Sequence, residues 1–113
     1  MGEGTNYSSL RDLERWELSM REPTVVLPET LALMITPHVS LSFYPNCGYG
    51  YGWVICNPPG EPLNVYHDGV SSGYRTLITR APEQDVTVIM LSNGTFDWAV
   101  SMARSLWRFA LGL

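Results

Sequence analysis

The chain contains no lysine: its positive charge comes from seven arginines scattered singly from Arg11 to Arg108, against eleven acidic residues, for a net charge of -4. Binding to a phosphate backbone needs clustered basic side chains, so this distribution excludes nucleic acid as a partner class. No stretch approaches the ~18 apolar residues that a membrane span requires, and Met1-Gly2-Glu3-Gly4 lacks the basic-then-apolar plan of a signal peptide. The expectation is a soluble chain with no membrane partner. Cysteine is scarce too: Cys47 and Cys56 fit no metal-ligand spacing, which leaves neither a metal nor another cofactor in view. In a domain with a core of its own such a pair is expected as thiols, a disulfide being the alternative.

What is present is apolar. Hydrophobic residues make up 45% of the 113 positions and charged ones 16%, enough to offset chain entropy within one domain, residues 1–113. Ser9 followed by Asp12 reads as a helix cap, and Leu10, Leu13, Trp16 and Met20 then share one face, predicting a helix over 10–21 with Trp16 in the core. Pro28-Glu29 opens a second, short helix, and Pro37 stops it. Residues 39–48 read as loop, with a short extended piece around Leu41 and Phe43; Tyr44-Pro45-Asn46 inside it is a turn. Strands follow at 50–56, 63–67, 74–80 and 86–92. The last is apolar at nearly every position, which predicts a central strand covered on both faces. Thr95 or Asp97 caps a final helix whose stripe of Trp98, Met102, Leu106, Phe109 and Leu113 is expected to pack on the sheet. The class is α+β: an antiparallel sheet of about four strands, two N-terminal helices, and a C-terminal helix packed on the sheet.

The chemistry concentrates in His67-Asp68-Gly69-Val70-Ser71-Ser72-Gly73-Tyr74. Gly69-Val70-Ser71-Ser72-Gly73 formally matches a G-x-S-x-G nucleophile elbow, which needs a strand-to-helix turn and a histidine later in the chain. The residues after Gly73 are strand-like, and neither His38 nor His67 follows the motif. His38, beside Pro37, has no partner within reach by sequence. Ser71 is therefore not expected to be a nucleophile.

The same stretch resembles the third motif of the penicillin-recognising serine hydrolases, which include class C β-lactamases, serine D,D-peptidases and related esterases. Ser8-Ser9-Leu10-Arg11-Asp12-Leu13 resembles a helix start of that family, and Leu27-Pro28-Glu29-Thr30-Leu31 its following helix. Tyr49-Gly50-Tyr51-Gly52-Trp53 resembles its glycine-aromatic strand, and His67-Asp68-Gly69 stands at its Lys/His-x-Gly position. Pro82 and Val88-Ile89-Met90-Leu91-Ser92-Asn93 complete five pieces in order.

The resemblance implies the C-terminal third of a larger hydrolase. The family's nucleophile lies in a Ser-x-x-Lys motif, which a chain without lysine cannot contain. Conditional on a partner segment bringing that serine, the resemblance makes the Val70 N–H an oxyanion donor. Gly69 becomes a point of close approach, and His67 a proton relay or orienting group whose ring changes charge near neutral pH. Asp68, Asn93 and Tyr74 fall at substrate-facing positions. Asp68 departs from the usual Thr or Ser, and its charge would repel a substrate carboxylate; neutral acyl esters or a substrate with a free amine fit better. Asn93, before Gly94, is first a turn residue. The partners implied are the N-terminal part of such a hydrolase, or a second copy of the chain through dimerisation or element exchange, and a small acyl substrate.

Overall fold

The structure, a computed structural model, describes Gly4 and residues 6–113. Ser9 caps the first helix, α1 (Leu10–Arg21): its hydroxyl oxygen accepts the Asp12 N–H at 3.2 Å and donates to the Asp12 carboxylate at 2.7 Å. Such a cap is worth about 1 kcal/mol. Proline at the first helical position opens α2 (Pro28–Met34). Six strands follow in unbroken antiparallel order: β1 (Val39–Ser40), β2 (Cys47–Tyr49), β3 (Val54–Cys56), β4 (Asn64–Ser71), β5 (Tyr74–Ala81) and β6 (Val86–Ser92), before α3 (Asp97–Ala110).

Alternation along β4 divides the sheet into two faces. Val65 turns to a core with Met20 of α1, Trp53 and Ile55, on which Leu31, Met34 and Ile35 also pack. Its neighbour Tyr66 turns the other way, toward Leu77, Val100 and Ala103. Helices α1 and α2 thus cover one face and α3 the other, in three layers. Glu17 fastens α1 to the sheet. It is buried, accepts from Arg80 Nε at 3.0 Å and Thr87 Oγ1 at 2.8 Å, and places the Arg80 guanidinium near the Trp53 ring.

Several expectations are corrected, and the second strand, expected over 63–67, runs on to Ser71 as β4. The sheet has six strands rather than about four, because the piece read as one strand over 50–56 turns at Gly50–Trp53, leaving a strand on each side, and Val39–Ser40 adds another. Leu41 and Phe43 lie in the intervening bend, where Cys47 N–H bonds the Tyr44 carbonyl and the left-handed Asn46 makes the turn. Cys47 and Cys56 are a disulfide, not thiols. They stand directly opposite on β2 and β3 with Cα atoms 4.1 Å apart, the closer of the two spacings in an antiparallel ladder. Strand β6 is not central but the last strand of the sheet, partly exposed along its length.

The apolar stripe of α3 is likewise reversed. Ala99, Val100, Ala103 and Trp107 face the sheet, whereas Trp98, Met102, Leu106, Phe109 and Leu113 are exposed, Phe109 by 82%. Asp97, Ser101, Arg104, Ser105 and Arg108 gather on one side of the helix and the apolar side is wide, so periodicity alone could not choose which part of it meets the sheet. The two alanines choose it by letting the helix axis lie close to β5 and β6. Trp16 is also on the outer side of its helix, while Glu17 and Met20 point inward.

Gly50 shows how tightly the β2–β3 turn sits on α2. A Cβ there would overlap the Met34 carbonyl oxygen and lie 2.9 Å from that of Thr36, backbone atoms that cannot swing aside. Gly50→Ala is expected to cost about 1–3 kcal/mol in urea unfolding, the range for overpacking a filled site.

Candidate active-site wall

The β4–β5 hairpin closes through two residues, Ser72 and Gly73, with Gly73 at φ 88° supplying the conformation that other residues avoid. Ser71 is therefore exposed in a hairpin between antiparallel strands, and the strand-to-helix elbow is absent from this stretch. The short turn also fixes every backbone direction in β4. Ser71 and Tyr74 flank a two-residue loop, so they form a hydrogen-bonded pair, and alternation then turns the N–H and C=O of Val70 and Asp68 away from β5.

On that far side β4 has outgrown its neighbour. The β3 ladder stops at the Val54–Tyr66 pair, so among the described residues no strand pairs with His67–Ser71 along this edge. The result is a short open edge presenting the Val70 N–H.

His67 stands where the ladder ends. Its ring is exposed, and Nε2 lies 3.2 Å from the Tyr49 hydroxyl with the two rings edge to face. Tyr49 belongs to β2, two strands away, and reaches His67 because β3 supplies no paired residue beside it. Nothing in the sequence marks this pair: the separation is eighteen residues, and the contact depends on where an intervening strand begins. Gly69 shares the His67 face. A Cβ at this glycine would come within 2.7 Å of Thr76 Oγ1 on β5, so cross-strand packing by itself calls for glycine here.

Asp68 is on the opposite face, toward α3. There the burial of Tyr66 raises its phenol above the usual value of 10.0; the Arg104 guanidinium, 5.4 Å over its ring, pulls it down, and Asp68 and Tyr44 push it up. Arg104→Ala is accordingly expected to raise the Tyr66 titration further, and Asp68→Asn to lower it, read by tyrosinate absorbance against alkaline pH. Tyr74 is exposed beside Ser71 on the His67 face. Asn93 follows the Val70–Arg75–Ser92 row at the same end of the sheet, but all of β5 separates it from Val70. His67, Gly69 and the Val70 N–H thus converge on one edge; Tyr74 borders it, and Asn93 stands apart. His38 has an engagement of its own, with Nε2 2.9 Å from the Leu33 carbonyl and its ring stacked on Tyr51. Among the described residues no cluster of His, Cys, Asp and Glu could hold a metal ion, and no helix is long and apolar enough to cross a membrane.

The antiparallel sheet with helices on both faces is shared with solved penicillin-binding protein homologues. The family model described as Beta-lactamase matches residues 2–111, and the chain belongs to that family. It is 32% identical over 96 residues to Penicillin-binding protein 4* of Bacillus subtilis (strain 168), covering 85% of this chain and 21% of that protein. It superposes on the octameric penicillin-binding protein homologue from Pyrococcus abyssi with a TM-score of 0.84 and 26% identity, over 93% of this chain and 24% of that one. The penicillin-binding protein from Bacillus halodurans shares the fold, with a TM-score of 0.72 and 19% identity over 85% of this chain and 29% of its own. The chain therefore spans between a fifth and a third of the length of these relatives.

Proposed function

We propose that this chain supplies one wall of an acyl-transfer site in a β-lactamase-like serine hydrolase, with the nucleophilic serine brought by another segment. The observation that carries the reading is the open edge of β4, where the Val70 N–H points to a place that no strand among the described residues fills, beside His67. In this reading the Val70 N–H donates to the oxyanion that develops on the substrate carbonyl, and His67 moves or orients the proton. The Asp68 side chain is on the α3 face rather than at the edge, so its negative charge disfavours a substrate carboxylate only from a distance, and neutral esters or amine-bearing acyl substrates fit the site better.

Two further surfaces support a partner segment. Beside β6 runs an open groove of about 520 Å³ between α1 and the strand, lined by Leu10, Leu18, Val86 and Ile89 with Glu14 and Arg21. On the other face, the bulky stripe of α3 is bare. An unpaired apolar edge strand and a patch of this kind are surfaces that proteins cover. The reading assigns them to the nucleophile-bearing part of the hydrolase. A second reading, an associating module without catalysis, draws on the same α3 stripe; it predicts concentration-dependent dimers of the isolated chain by light scattering.

Val70→Pro tests the site. Proline removes the N–H, and on an edge that donates to no strand this leaves the fold nearly intact. The isolated variant should lose less than about 1 kcal/mol of stability, while kcat of the complete hydrolase carrying it should fall about 10²–10³-fold. Unchanged kcat in the complete enzyme would remove Val70 from the site.

A further inference from the structure

We infer that Tyr49 is a positioning residue for His67, holding the ring by Nε2 so that Nδ1 is the nitrogen presented to the reacting groups. This deepens the proposed site and rests on the assignment of His67 to it. Three observations carry it. The Tyr49 hydroxyl lies 3.2 Å from Nε2, whereas among the described residues no hydrogen bond reaches Nδ1. The ring is otherwise exposed at the point where the β3 ladder stops, so packing alone does not fix its angle. Finally, Tyr49 sits two residues from Cys47, whose disulfide to Cys56 ties down the strand that carries the phenol.

The partner's chemistry suits a group that gains and loses a proton. A phenol hydroxyl both donates and accepts, so it can donate to a bare Nε2 or accept from a protonated one. Where the hydroxyl accepts from Nε2–H, Nδ1 is bare to take up and return a proton while the ring keeps its orientation; a carbonyl partner, which accepts only, would pair with that one neutral tautomer alone. His38 offers that contrast within the same chain, its Nε2 lying 2.9 Å from the Leu33 carbonyl.

The test is long-range ¹H–¹⁵N NMR of the 113-residue chain with ¹⁵N-labelled histidine, comparing Tyr49→Phe with the parent. Phenylalanine keeps the ring and its packing, and unchanged backbone amide spectra will show that the sheet is intact. The expected result is a changed ratio of the two neutral His67 tautomers, with the His38 signals unmoved as an internal control. An unaltered His67 ratio overturns the inference. In the complete hydrolase, Tyr49→Phe should lower kcat about tenfold with KM unchanged, a fraction of what a positioned proton-transfer group contributes. Equal losses of kcat and stability without the tautomer change would also overturn it. Full activity of His67→Gln would instead remove His67 from the site, leaving the tautomer result to stand or fall separately.

Discussion

Glu17→Ala is expected to lower the stability of the chain by about 3–5 kcal/mol, the cost of removing one member of a buried ion pair. Glu17 and Arg80 are 6% and 4% exposed, and Arg80 Nε lies 3.0 Å from one carboxylate oxygen and 2.8 Å from the other. With the carboxylate gone, the guanidinium stays below α1 with no counter-charge, and Thr87 loses its acceptor. Nor can the sheet easily let Arg80 out, because Trp53 stands near its guanidinium and Val65 and Thr87 flank it on β4 and β6. The double substitution Glu17→Leu with Arg80→Met removes both charges and should cost much less than the single one. Urea unfolding of the three proteins decides it: a loss below about 1 kcal/mol for Glu17→Ala would mean the pair contributes no more than a surface ion pair.

The second large effect concerns the disulfide. Replacing Cys47 and Cys56 together by serine should cost about 2–4 kcal/mol, since the bond closes a loop between residues nine apart and restricts the unfolded chain. The loss should be local in its consequences. Strands β2 and β3 are three residues each, too short to hold their register by ladder bonds alone, and β2 carries Tyr49. Reduction is therefore expected to perturb the His67 ring signals while leaving the longer β5–β6 ladder unaltered. Amide exchange along β6 and the histidine NMR spectrum read the two parts separately; a β6 that loosens together with β2 would show that the sheet unfolds as one unit.

Local signals carried much of this fold. Ser9 with Asp12 marks the start of α1, and Pro28 that of α2. These depend on neighbours in the chain, so they can be read from it. The strand expected to end at His67 runs on to Ser71 as β4, so the tight hairpin at Ser72-Gly73 is not among the features read from sequence. What could not be read depends on relations between elements. The run from Val86 to Ser92 is apolar enough for a strand with partners on both sides, yet among the described residues only β5 pairs with it. The bulky stripe of α3 is the more hydrophobic candidate for a core face, yet Ala99 and Ala103 face the sheet because small residues allow the closer approach. Both misreadings point the same way: the chain has more apolar surface than its own core uses. The Tyr49–His67 contact was hidden for a different reason, since it bridges an intervening strand at the one place where that strand is missing.

Asp68 illustrates how the site was only partly legible. The sequence placed it at a substrate-facing position by resemblance, and alternation along β4 turns its side chain toward Tyr66 and α3. Its backbone belongs to the open edge, and its charge acts from the other face.

Intact-mass measurement after exposure to a fluorophosphonate decides whether the proposed wall of the site stands in this chain without its nucleophile. The isolated chain is predicted to keep its unmodified mass, Ser71 included, at reagent concentrations that label an active serine hydrolase to completion. A stoichiometric adduct on any serine of this chain would contradict the account.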